Sequence, residues 1–222
     1  MRRVSWFLLA AVLMAPSGAA AAERPLIVRA FDIGDAKSLP WADPARWDAV
    51  APAYNLDSLA GDALALLVPE TPLIVHMETL RRAVVYSRKD PRVVRQLQAL
   101  LDTRVRVAEE DGKADVPALF DLGYLVEASK QAAWLHWDVF AEPNGYALLR
   151  RAMRAGGTTA EMEFAGALML AEPAGQIFFT RHLKYAIEQA TEGSLLAKNL
   201  VIHFRDRGKT LAELKAAKVP RY

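Results

Sequence analysis

This chain of 222 residues has four histidines and no cysteine, so metal or acid–base chemistry has to be built around His76, His136, His182 or His203. Thiolate nucleophiles and disulfides are excluded outright. The sequence contains no phosphate-binding Gly-x-x-x-x-Gly-Lys-Ser/Thr loop, no Gly-x-Ser-x-Gly elbow and no His-Glu-x-x-His zinc pattern. Spacing removes further local pairs: Glu161 and Glu163, like His76 and Glu78, sit roughly 200° apart on a helix of about 3.6 residues per turn. His76 then reads as a half-buried histidine beside a solvated acid. One long-range pair survives. If residues 179–190 and 196–204 form an antiparallel hairpin turning at Glu192-Gly193, His182 and His203 lie level, each beside the apolar seam. Two level imidazoles are a starting ligand set for Zn²⁺ or a copper ion, with Glu163 or Glu188 as oxygen donors. The plainer reading is two histidines that close the edge of a core. No cofactor is implied by any motif.

A second candidate is a binding surface. Arg81, Arg82, Arg88, Lys89, Arg92 and Arg95 bracket a turn at Asp90-Pro91 and make that end locally positive, suited to anionic headgroups, a cell-wall polymer or an acidic partner protein. Trp134 and Trp137 are a further binding candidate: if that stretch is extended, His136 and Asp138 converge and the two tryptophans beside them line a small-ligand site; otherwise they pack a helix end. For both, an ordinary solvated or packed helix is the plainer alternative.

The elements that must position these residues are helical almost throughout. Apolar residues recur at helical spacing in Leu59, Ala63, Leu66 and Leu67; in Leu73, Met77, Leu80 and Val84; in Val94, Leu97, Leu101 and Val105; and in Leu119, Leu122 and Val126. Asp90-Pro91 and Asp115-Val-Pro117 read as helix starts, and Gly112 as a stop after the acidic run Glu109-Glu110-Asp111. In the second half, capping boxes at Thr158-x-x-Glu161 and Thr210-x-x-Glu213 open two helices. Between them, residues 162–171 are so apolar that they predict the central buried helix of that half. Short connections predict an all-α array of antiparallel helical hairpins, either a bundle or a short solenoid, about nine helices in all. Residues 23–56 differ in texture. They predict an irregular N-terminal arm with a short strand at 26–31 and a short helix opening at Asp43-Pro44, ahead of a helical domain over 57–222 with possible lobes 57–140 and 145–222.

Within this array, Leu119-x-x-Leu122-Gly123-x-x-Val126 resembles the first helix of a tetratricopeptide repeat, with large, leucine, small and large residues at those spacings. The second-helix positions depart from that family, holding Leu135, Val139 and Glu142, and no self-similarity of about 34 residues runs through the chain. The resemblance implies close helix packing around Gly123.

Residues 1–22 combine Arg2-Arg3, an apolar run and the small residues Ala20 and Ala22, the pattern of a cleavable secretory signal peptide. The run is too short to span a bilayer, which needs about 20 helical residues. Loss of Arg2 and Arg3 leaves basic and acidic residues equal in number, from 28 and 26, so a basic field for nucleic acid disappears. With no cysteine to carry lipid, the mature chain is expected free in the periplasm or secreted, without a stable membrane anchor. The function expected is a non-catalytic interaction or scaffold module of the bacterial cell envelope, with a protein or envelope partner. Two alternatives stay open: a metal-dependent or acid–base enzyme using His182 and His203, and a carrier of an apolar ligand around Phe164, Leu168 and Phe178.

Overall fold

The structure, a computed structural model, describes residues 25–136, 144–170 and 176–217. The signal segment, Trp137, Asp138, Val139 and Glu142 lie outside the described residues. Nine α-helices and no strand occur among the described residues: α1 (Leu59–Leu66), α2 (Leu73–Tyr86), α3 (Pro91–Glu110), α4 (Val116–Gln131), α5 (Gly145–Gly156), α6 (Ala160–Met169), α7 (Gln176–Gln189), α8 (Leu195–His203) and α9 (Leu211–Ala216). None of them is long and apolar enough to cross a membrane.

Helix starts follow the local chemistry that the sequence supplies. Asp90 caps α3 by accepting from Arg92 N, with Pro91 at the first position, and Asp115 caps α4 through Ala118 N. Thr210 accepts from Glu213 N while Glu213 Oε2 accepts from Lys209 N, so this start is closed from both sides. The cap of α6 is Thr159, one residue later than the Thr158 box predicts. At the end of α3, Gly112 takes φ 69°. The acids there oppose the helix dipole, and Arg151 from α5 offsets this by pairing with Glu109.

α4 is the hub, packing against α2, α3, α5 and α6. Its crossing with α5 is very close. A Cβ on Gly123 would stand 2.7 Å from the Gly145 carbonyl oxygen and 3.2 Å from Leu148 Cβ, and one on Gly145 would fall on the Gly123 carbonyl. The close packing expected around Gly123 is therefore present, as a glycine-to-glycine contact between helices. α6 and α7 form the second intimate pair, and residues 162 and 164–169 of α6 are buried as their composition predicts. Buried residues from α1 through α9 join one hydrophobic cluster, so both halves of the chain share a core.

The arm corrects two expectations. Residues 26–31 form no strand and residues 43–50 form turns, with one isolated bridge between Trp41 and Val50. Without a ladder, the arm's backbone takes its hydrogen bonds from side chains of the body. Leu26 N donates to Gln131 Oε1 (3.0 Å), Phe31 N to Glu78 Oε2 (3.0 Å) and Asp32 N to Asn199 Oδ1 (2.9 Å). Carbonyls of Ile27 and Trp47 accept from Arg81, that of Leu39 from Arg82, and that of Pro40 from Tyr86 Oη.

Candidate functional site

Three helices converge on His182. Tyr146 comes from the first turn of α5, Glu163 from the first turn of α6 and His182 from the middle of α7. The Tyr146 hydroxyl lies 2.8 Å from His182 Nε2, and the Glu163 carboxylate bonds His182 Nδ1. The His182 and Glu163 side chains are only 9% and 12% exposed. Gly166 makes room for the ring: a Cβ there would sit 3.2 Å from His182 Cγ. Both ring nitrogens of His182 are thereby engaged, Nδ1 by the carboxylate and Nε2 by the phenol oxygen. Burial raises the Tyr146 pKa above that of an ordinary phenol, against the pull of Arg150 and Arg181, so at neutral pH the hydroxyl is a donor. The arrangement is a carboxylate–imidazole–phenol relay, able to pass a proton but holding none of the nucleophiles excluded above.

His203 sits elsewhere. Its ring stacks on Phe31 at 4.6 Å and meets the edge of Phe164, Nδ1 bonds the Asn199 carbonyl at 3.0 Å, and Nε2 is buried without a partner. Burial pushes its pKa down to about 4, so the imidazole is neutral. The level hairpin expected for His182 and His203 is not what the fold builds, because α7 lies along α6 while α8 packs on α6 and α9. Glu163 and Gly166 of α6 face His182, and Phe164 faces His203, about 130° further round that helix. The two imidazoles share no hydrogen-bond partner, and among the described residues no group of three or more His, Asp or Glu is placed to hold a metal ion. Of the oxygen donors considered, Glu163 does meet His182, whereas Glu188 pairs with Lys184 at 3.7 Å.

His76 and Glu78 are also placed differently from expectation, since both are fully buried. His76 Nδ1 lies 2.7 Å from Asp121 Oδ1, and Nε2 is 3.1 Å from the Val68 carbonyl. Nε2 must donate to that carbonyl, so one further proton is shared with Asp121 and the pair is neutral overall. Burial alone would lower the His76 pKa, but the bond to Asp121 outweighs it and raises it; burial raises Asp121 as well, so the pair holds its proton tightly.

Glu78 is the centre of the arm junction. Its oxygens accept from Arg81 Nε (2.7 Å), Arg81 Nη2 (2.8 Å), Arg82 Nε (2.7 Å) and Phe31 N. Burial opposes its ionisation, yet these donors hold its pKa below the usual carboxylate value. Both guanidiniums lie against the Trp41 ring, at 5.0 and 5.4 Å from its centre.

The cationic set is thus divided by the fold. Arg81 is fully buried and Arg82 is half-buried, both bonded to Glu78 and to carbonyls of the arm, which takes them out of the cationic surface that their spacing around Asp90-Pro91 predicts. Arg88 lies between the Trp47 and Trp134 rings at 5.7 and 5.3 Å, and the Trp134 indole N–H donates to Ser87 Oγ. Lys89, Arg92 and Arg95 are exposed, with Arg92 turned back onto Asp90 at 2.7 Å. His136 is exposed and left-handed at φ 47°. Phe164 and Leu168 are core residues whereas Phe178 is 54% exposed, so these three share no surface.

Sequence reasoning missed Tyr146, Asp121 and the burial of Glu78. The signal for the last was Glu78-x-x-Arg81-Arg82, an acid three and four residues before two arginines, which places all three on one face of the helix where they can pair with one another. No family model, curated protein or solved structure matches this chain.

Proposed function

We propose that this chain is an exported helical module that engages another protein of the cell envelope without transforming it. The observation that carries the reading is the outward face of α7, where Ile177, Phe178 and Tyr185 are 70%, 54% and 39% exposed around Arg181 and Lys184. Aromatic side chains flanked by cations are the kind of anchor that interfaces use. A photo-cross-linking residue placed at 178 in intact cells is expected to trap one reproducible protein, with Ile177→Glu abolishing the adduct; no adduct from 178 or 185 at native abundance defeats the reading. Amino-terminal sequencing of the mature product is expected to start at residue 23, and a product beginning at Met1 would overturn export.

The Glu163–His182–Tyr146 relay favours a second reading, an acid–base enzyme acting on an envelope substrate. Glu163 orients the imidazole, His182 Nε2 takes the proton of the Tyr146 hydroxyl, and the phenolate so formed takes a proton from the substrate. On this reading, Tyr146→Phe and His182→Asn each lower turnover at least a hundredfold in a cell-wall or ester hydrolysis screen, while leaving the α7 adduct intact.

A further inference from the structure

The arm and the body enclose a cleft of about 520 Å³ between residues 30–44 and helices α2 and α8. That is within the usual size of small-molecule sites, which run from about 300 to 1,000 Å³. Its lining is mixed: Phe31, Ile33, Trp41, Pro44 and Ile202 supply the apolar part, and Asp32, Ser38, Glu78 and Arg82 the polar part, with Glu78 and Arg82 as a charged floor.

The charges of that floor do not balance. Two guanidiniums, Arg81 and Arg82, surround one carboxylate, and all of the accepting capacity of Glu78 is taken by them and by Phe31 N. The other acid on the cleft, Asp32, is committed at its rim: Oδ1 accepts from Gly34 N at 2.8 Å and Oδ2 faces Lys198 at 4.0 Å. One unit of positive charge is left in the cluster. It has an outlet: Arg82 uses Nε on Glu78 and Nη1 on the Leu39 carbonyl, whereas Nη2 carries no hydrogen bond among the described residues, and the side chain is 14% exposed. A largely desolvated guanidinium with an unused nitrogen is a site for an anion, because the Nη2 N–H groups can still donate a charge-assisted hydrogen bond to a carboxylate oxygen. The apolar part of the lining fits a hydrocarbon body.

We infer that the cleft beneath the arm binds a small amphipathic carboxylate, its head on the open edge of Arg82 and its apolar body between Trp41 and Ile202. This site is separate from α7 and from His182, and it does not rest on either reading above. Trp41 reports on it, since its ring already lies on Arg82. Binding also stabilises the fold, because the anion neutralises the surplus charge and ties the arm to α2.

Titration of octanoate into the full mature chain, followed by calorimetry and tryptophan fluorescence, is expected to saturate at one equivalent and to raise the melting temperature. Octanol, acetate and inorganic phosphate each lack part of the match and are expected to bind at least tenfold more weakly. Arg82→Lys keeps the charge but loses the Nη2 donors, and weakens octanoate at least tenfold. Because Arg82 also holds Leu39, a second variant at the exposed rim, Ile202→Glu, is used; it is expected to weaken octanoate tenfold with an unchanged melting temperature in the free protein. Absence of saturable heat, equal affinity for octanol or for phosphate, or full affinity in Ile202→Glu overturns the assignment.

Discussion

The arm junction and the α5–α7 centre both bury a glutamate beside its partners, and they use it in opposite ways. At the junction, Glu78 accepts from four donors, and its partners reach on to the carbonyls of Ile27, Leu39 and Trp47. Such an arrangement is architectural: moving a proton there would break the attachment of a whole segment. At the α5–α7 centre, Glu163 meets one imidazole, which meets one phenol, and among the described residues none of these three side chains makes another hydrogen bond. A buried carboxylate is fixed in its protonation state by the number of donors around it, and free to join proton traffic when it has few.

The sharpest way to break this comparison is Glu78→Gln, which strands two guanidiniums in the interior. A loss of about 3–5 kcal/mol is expected in urea denaturation, with early proteolysis within residues 30–50. A loss under about 1 kcal/mol would show that the junction is not charge-built. Next comes pH. The His203 pKa falls to about 4 in the fold from about 6.5 in the unfolded chain, so the unfolded state binds the extra proton first. Stability is complete above about pH 6.5 and declines as pH falls towards 4, by about 3 kcal/mol. His203→Phe is expected to flatten that slope relative to the parent, measured by denaturation at pH 7.5 and 5. His76 works with the opposite sign: its pKa is raised, so its contribution is present in acid and is lost as pH rises through the folded value.

Smaller effects sharpen the comparison from the side of packing. Gly123→Ala puts a methyl against the Gly145 carbonyl, which is backbone and cannot turn aside, and is expected to cost about 1–3 kcal/mol in thermal melts. Tyr146→Phe removes one hydrogen bond from the relay, and about 0.5–1.5 kcal/mol is expected. A Tyr146 effect as large as that of Glu78 would mean that the His182 centre is structural too.

What could be read in the sequence was local. Asp90, Asp115 and Thr210 cap the helices they announce, and α6 is buried because nearly all of its residues are apolar. Gly123 predicted a close contact from one turn of helix. The arm misled because β-branched and aromatic residues favour extended chain without saying who will pair with it, and here the partners are side chains of α2, α4 and α8. The His182 centre gathers residues 146, 163 and 182 from three helices; spacing singled out His182, with Glu163 named as its oxygen donor, and Tyr146 lay outside any spacing argument. Levelling His182 with His203 failed because a turn between two helices does not oblige them to pack on each other.

Asn199 grips the arm across 167 residues of sequence, accepting from Asp32 N and donating to Asp32 O at 2.7 Å. A segment synthesised early is thereby fastened by one made near the end. Loop closure over that distance gives little reward until α2 and α8 already stand in place, so the latch engages last. A chain interrupted before α8 leaves Asp32 without this partner, and is expected to hold residues 30–34 less firmly than the full chain does.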